Sequence, residues 1–191
     1  MSPVILKKRY RPPAPLTALQ LAAQHNYGYL HPAEVELLSR LSRQIGDEQP
    51  QPVFVNLGAG AGTSALALAE GCPHAQIITF DLYRDHFDLE RQAFKRAGRL
   101  CPIFIQAFSY ADHSGLELHP HLVFIDADHS QSAVAADIEE WLRHIVNGGL
   151  MVFHDYGHPN YPGVRTAVDM LMSVHEFVEL VHTTITFEIK K

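Results

Sequence analysis

Five short apolar runs, at residues 53–57, 76–80, 102–106, 122–125 and 150–153, each end at a turn or helix signal and predict five strands. Helical spacing fills the intervals. The clearest case lies between the fourth and fifth runs, where Val134, Ile138, Trp141, Leu142 and Ile145 share one face and Asn147-Gly148-Gly149 ends the helix. Ahead of the first strand a short apolar helix spans about 16–24, and a stronger one opens at Pro32. In that second helix Leu38, Leu41 and Ile45 form the apolar face, Glu34, Glu36, Arg40 and Arg43 fall largely on the other side, and Gly46 suits the exit. After a helix near 164–173, runs at 176–181 and 185–189 are separated only by a tight turn, which joins antiparallel strands. The expectation is an α/β chain: a Rossmann-like, doubly wound, mostly parallel seven-stranded sheet with a C-terminal antiparallel hairpin.

Composition narrows this picture. At 191 residues and 47% hydrophobic, the chain fits one domain with a sizeable core, taken as residues 15–191 with N-terminal helices over 15–46. Residues 1–14 form a basic arm through Lys7, Lys8, Arg9 and Arg11, set off by Pro12, Pro13 and Pro15. The net charge of −6 argues against broad nucleic-acid binding, so the arm reads as solvated, or as long enough to reach a second copy in a homo-oligomer. Cys72 and Cys101 have no metal-type spacing and read as reduced thiols. With no apolar run of membrane-spanning length and no signal-peptide core, the expected setting is soluble and cytoplasmic, with no membrane partner.

In a doubly wound sheet ligands bind beyond the carboxyl ends of the strands, and here five consecutive ends carry polar or glycine-rich segments. The first is Asn56-Leu57-Gly58-Ala59-Gly60-Ala61-Gly62-Thr63-Ser64-Ala65, a loop that lets a ligand approach backbone and the N-terminus of the next helix. A dinucleotide pattern started at Gly58 would need glycine where Thr63 stands, and started at Gly60 it ends in Ala65; no Walker lysine is present. Asp81, just past the second strand, suits a pair of ribose hydroxyls or the N-terminus of the helix beginning near Asp85. Ala107-Phe108-Ser109, Asp126-Ala127-Asp128-His129 and His154-Asp155-Tyr156 follow strands three, four and five.

Taken together, the glycine loop, Asp81, Phe124-Ile125-Asp126-Ala127-Asp128-His129 and Gly148-Gly149-Leu150-Met151-Val152-Phe153-His154-Asp155-Tyr156 resemble class I S-adenosylmethionine-dependent methyltransferases. The resemblance runs from about Pro32 to the C-terminus. Within that class the chain looks most like the small O-methyltransferases related to catechol and caffeoyl-CoA O-methyltransferases, and the cephalosporin-hydroxylase-like branch. The resemblance implies that Asn56, Gly58, Ala59, Gly60 and Ser64 surround the methionine part of S-adenosylmethionine, that Asp81 holds the ribose, that Phe108 and Ser109 border the adenine, and that Asp126 also lies against the cofactor. Asn56 stands where the family usually has an acid, and so brings no charge for the ammonium group.

The same resemblance implies a divalent cation, such as magnesium, manganese or another transition metal, at Asp126, His154 and Asp155. The imidazole moves the preference toward transition ions. Without metal, Asp126 would orient a loop and His154 and Asp155 would cap the next turn. His129 occupies the position of the catalytic lysine of catechol-type enzymes and is the expected base. Tyr156 and His158 are candidates for the acceptor pocket. The expected reaction is methyl transfer to a hydroxyl oxygen of a small molecule. The alternatives are a non-catalytic protein binding S-adenosylmethionine or S-adenosylhomocysteine, and an NAD-dependent oxidoreductase.

Overall fold

The computed structural model of the protein describes residues 14–25 and 30–191, so the expected basic arm lies outside the described residues except for Ala14. Two helices come first, α1 (Ala18–Gln24) and α2 (Pro32–Glu48). Then follow β1 (Val53–Leu57), α3 (Thr63–Gly71), β2 (Gln76–Asp81), α4 (Arg84–Ala97), β3 (Ile103–Gln106), β4 (Leu122–Ile125) and α5 (Gln131–His144). The chain closes with β5 (Leu150–Phe153), α6 (Pro162–Leu171), β6 (Glu176–Val181) and β7 (Thr184–Glu188). Strand order is β3-β2-β1-β4-β5-β7-β6. The first five strands are parallel to one another, and β7 is antiparallel to both β5 and β6. The expected doubly wound, seven-stranded sheet with its closing hairpin is what forms.

Boundaries differ locally for physical reasons. Strand β3 begins after Pro102, whose nitrogen has no hydrogen to donate to a ladder. Helix α6 starts at Pro162, earlier than expected, because proline is preorganised for the first helical position. Helix α2 runs past Gly46 to Glu48. That glycine serves packing rather than the exit: a Cβ there would sit 2.5 Å from the Cys72 Sγ.

The period-two alternation of the strands divides the core in two. Phe54, Ile77, Leu122, Phe124 and Val152 face one side, under α1, α2, α3 and α4. Val55, Leu57, Ile78, Phe80, Val123, Ile125, Met151 and Phe153 face the other, under α5 and α6. Each such fully buried side chain contributes about 1.5–3 kcal/mol. The strand order reverses direction between β2 and β4 around β1, and this switch point opens the cleft that holds the site. Among the described residues, no helix is long and apolar enough to cross a membrane.

Candidate active site

A cavity of about 410 Å³ lies at the carboxyl ends of β1, β2, β3 and β4. Its floor is the glycine loop. Gly58 has φ +93°, and a Cβ on it would lie 2.1 Å from the carbonyl oxygen of Asp126, so only glycine lets β1 turn this close to the end of β4. Gly62, at φ +86°, precedes α3, and a Cβ on it would meet the Glu90 backbone at 2.8 Å. Helix α3 therefore opens onto the cavity with no side-chain cap on its N-terminal N–H groups.

Asp81 ends β2 and ties three segments together. Its Oδ2 accepts from the Ala59 amide at 2.8 Å and meets the His86 Nδ1 at 3.0 Å, while Oδ1 accepts from the Tyr83 amide at 2.8 Å. Since Tyr83 caps α4, both roles foreseen for this carboxylate are compatible. Oδ1, with one N–H partner, keeps a lone pair for a ligand hydroxyl. The loop after β3 is pinned from behind by α5: the Trp141 indole donates to the Ser109 carbonyl at 2.9 Å, and Glu140 accepts from the His113 amide at 2.7 Å.

Gly58, Ala59, Gly60, Ser64, Asp81, Phe108, Ser109 and Asp126 all line this cavity, with His129 at the same end as Asp126. Asn56, unlike the other expected cofactor residues, does not line the cavity, and its Oδ1 is buried without a hydrogen-bond partner. The residue is fully buried beneath the loop and its side-chain amide donates to the Gly58 carbonyl at 2.9 Å. Tyr156 is likewise turned aside: its hydroxyl donates to Asp169 at 2.6 Å. His158 stacks on Tyr161, which in turn stacks on His129.

At the Asp126 end the loops after β4 and β5 meet. The His129 Nε2 lies 3.4 Å from the Asp126 Oδ1 and 3.0 Å from the Asp155 Oδ2. The His154 Nδ1 lies 3.3 and 3.2 Å from the same two oxygens. Asp155 takes φ +58°, a left-handed backbone that aspartate tolerates better than most residues, and this aims its carboxylate back at both rings. Asp126 holds the His129 ring protonated, helped by Asp155 and against burial, and raises its pKa to about 9. Burial opposes charge on His154, but Asp126, Asp155 and Glu34 outweigh it and push the ring up to about 12. Burial also works against Asp155, yet the two imidazoles hold it ionised well below the usual carboxylate range.

Glu34 is the residue that helix periodicity misassigned. Expected on the outer face of α2, it is 1% exposed. Its carboxylate accepts from the His31 amide, the His154 Nε2, the His182 Nδ1, the Thr183 amide and hydroxyl, and the Thr184 hydroxyl. Burial pushes Glu34 up, but these donors, His154 foremost, bring it down to about 2. The local signal was the capping box His31-Pro32-Ala33-Glu34, which turns the glutamate back toward the helix start. Its distant partners had no signal in the sequence.

Residues 55–156, just over half the chain, match the methyltransferase domain family. The chain belongs to that family. The match runs from β1 through the glycine loop and Asp81 to His154 and Asp155, and so takes in both ends of the cavity. It decides against the dinucleotide oxidoreductase alternative. No curated protein sequence matches the chain significantly. In fold, this methyltransferase domain is similar to the O-methyltransferase from Bacillus cereus in complex with SAH, with 18% identity, 90% of this chain and 89% of that one covered, and a TM-score of 0.68. It is also similar to the O-methyltransferase TomG from Streptomyces achromogenes, involved in tomaymycin synthesis and in complex with SAM (16%, 91% and 88%, 0.68). The N-methyltransferase NodS from Bradyrhizobium japonicum shares the fold as well (16%, 83% and 95%, 0.62). Oxygen and nitrogen acceptors thus occur on one scaffold, and the acceptor must be argued from the site.

Proposed function

We propose that this methyltransferase moves the methyl group of S-adenosylmethionine to a hydroxyl oxygen of a small molecule. The observation that carries the reading is the single cavity joining a glycine loop and Asp81 at one end to Asp126 and His129 at the other. Gly58, Ala59, Gly60 and Ser64 would surround the methionine part, Asp81 would accept from a ribose hydroxyl, and Phe108 and Ser109 would border the adenine. Asn56 supports the loop through the Gly58 carbonyl. Residues 15–191 act as one domain in this reading, in a reducing cytoplasmic setting that suits two free cysteines. No nucleic-acid partner is proposed.

The sulfonium is already activated, so the protein has to align donor and acceptor and manage one proton. The acceptor hydroxyl would enter at the Asp126 end, where two carboxylates and two imidazoles cluster. The chemistry of the donor set fits a divalent cation. Asp126, His154 and Asp155 would hold it, and the His154 Nδ1, buried with no hydrogen-bond partner, faces the two carboxylate oxygens. When bound, such an ion would polarise the acceptor oxygen and lower its pKa.

Calorimetry with S-adenosylmethionine, S-adenosylhomocysteine and NAD(H), followed by a panel of hydroxylated acceptors assayed for S-adenosylhomocysteine release, tests the reading. Binding of the sulfonium cofactor and turnover on a hydroxyl acceptor are expected. Binding without any methylated product would favour a non-catalytic binder, and NAD binding alone would overturn the proposal.

A further inference from the structure

The four side chains Asp126, His129, His154 and Asp155 each offer one donor atom, and these atoms lie within 4.8 Å of one another. Two observations separate this group from an ordinary surface ion-pair cluster. The first is that the His129 Nε2 and the His154 Nδ1 are both buried and neither has a hydrogen-bond partner, although each sits 3.0 to 3.4 Å from the same two carboxylate oxygens. Two ring nitrogens close to shared oxygens, but out of line for hydrogen bonding, converge on a common point rather than on each other.

The second is the state of His154. Its Nε2 lies 3.2 Å from the Glu34 Oε2, and that carboxylate also accepts from His31, Thr183 and Thr184. Glu34 is an acceptor to every one of these partners, so the His154 Nε2 directs its hydrogen at Glu34 and the Nδ1 is the atom left facing Asp126 and Asp155, where a dication would take the place of a proton. A carboxylate on the far nitrogen of an imidazole is the arrangement that orients a metal-binding histidine.

We propose that Asp126, His129, His154 and Asp155 together form a two-histidine, two-carboxylate site for a first-row transition dication of the zinc or cobalt class, with Glu34 as the positioning residue for His154. This rests on the methyl-transfer reading only for what the ion does, and it reassigns His129 from proton acceptor to ligand. Magnesium takes oxygen donors in near-octahedral surroundings, whereas two imidazoles among four donors suit zinc, cobalt or manganese. His129 is held for this role by Tyr161, whose ring stacks on it at 4.2 Å.

The test uses the full chain, stripped with a chelator and titrated with Zn²⁺, Co²⁺ and Mg²⁺ by calorimetry and by visible absorption of the cobalt form. The expected result is about one equivalent of Zn²⁺ or Co²⁺ bound, undisplaced by about a hundredfold excess of Mg²⁺. His129→Ala and His154→Ala should each lower the Zn²⁺ affinity about tenfold or more and alter the cobalt spectrum, and Glu34→Gln should lower it about 10- to 100-fold. His129 is 28% exposed at its side chain, so its alanine variant remains informative if the two buried variants fail to fold. Mg²⁺ competing at equal concentration, or His129→Ala binding Zn²⁺ as tightly as the unmodified protein, would overturn the proposal. S-adenosylhomocysteine calorimetry on the same samples keeps the two ideas apart: cofactor binding with no Zn²⁺ or Co²⁺ uptake sinks the metal site alone.

Discussion

The two ends of the cavity bury their acids to opposite effect. Behind the glycine loop, Glu90 is fully buried with one hydrogen-bond donor, the Thr79 hydroxyl, and its second oxygen has no partner. Burial, with Asp81 nearby, raises it to about 8. At the histidine end Glu34 is just as deeply buried, yet six donors bring it down to about 2. Desolvation pushes both carboxyls in the same direction, and the donors gathered around each decide the outcome. One end is built from adjacent segments, β1, its loop and β2. The other joins residues as far apart as Glu34 and Thr184.

The largest expected effect strikes where the two ends touch. Gly58→Val adds a Cβ 2.1 Å from the Asp126 carbonyl oxygen on a backbone at φ +93°, and should cost about 4 kcal/mol or more in urea denaturation. A variant as stable as the parent would mean that the two loops are not in mutual contact. Next comes Glu34→Ala, which leaves its donors buried without an acceptor. A loss of about 3 kcal/mol is expected, seen as a lowered denaturation midpoint.

Asp81→Asn separates the ends functionally. It should weaken S-adenosylhomocysteine binding by about 1.5–3 kcal/mol, read by calorimetry, while Zn²⁺ binding at the histidine end stays unchanged. Equal loss of both would erase the distinction between the ends.

The last contrast is in pH dependence, and its sign differs between the ends. Because folding raises the Glu90 pKa from 4.5 to about 8, its contribution is fully present below pH 4.5 and is lost as pH rises through about 8. Glu90→Gln should remove that decline, which amounts to at most about 1.4 kcal/mol per pH unit in this window. Glu34, lowered from 4.5 to about 2, contributes above pH 4.5 and loses its contribution as pH falls toward 2. Denaturation curves for the parent and Glu90→Gln from pH 5 to 8.5 check the first; parallel curves would show that Glu90 is ionised throughout.

Short apolar runs and turn residues made the succession of strands and helices legible, because a strand buried on both faces is apolar along its length and its end is marked by glycine, proline or polar residues. The glycine loop and Asp81 were readable for the same reason: the chemistry lies within a few residues of a strand end. Asn56 and Glu34 both lie deeper than their spacing suggests. Asn56 sits next to the loop, buried with its amide on the Gly58 carbonyl, and Glu34 follows the polar side of its helix in sequence yet is drawn inward by the β6–β7 turn. Spacing locates a residue on an element and says nothing of which element comes to cover it.

What the sequence by itself determined was the set of parts: a doubly wound sheet, a glycine loop with an acid at the end of the second strand, and polar groups after strands four and five. These follow from local periodicity and from residues whose backbone preferences are strong on their own. Only the tertiary structure decided that His129 shares two carboxylates with His154, and that a glutamate from the N-terminal helix fixes the His154 ring. The physical reason is that hydrogen-bond satisfaction of a buried charge is a property of everything packed around it, and those partners come from segments that meet only when the chain is folded.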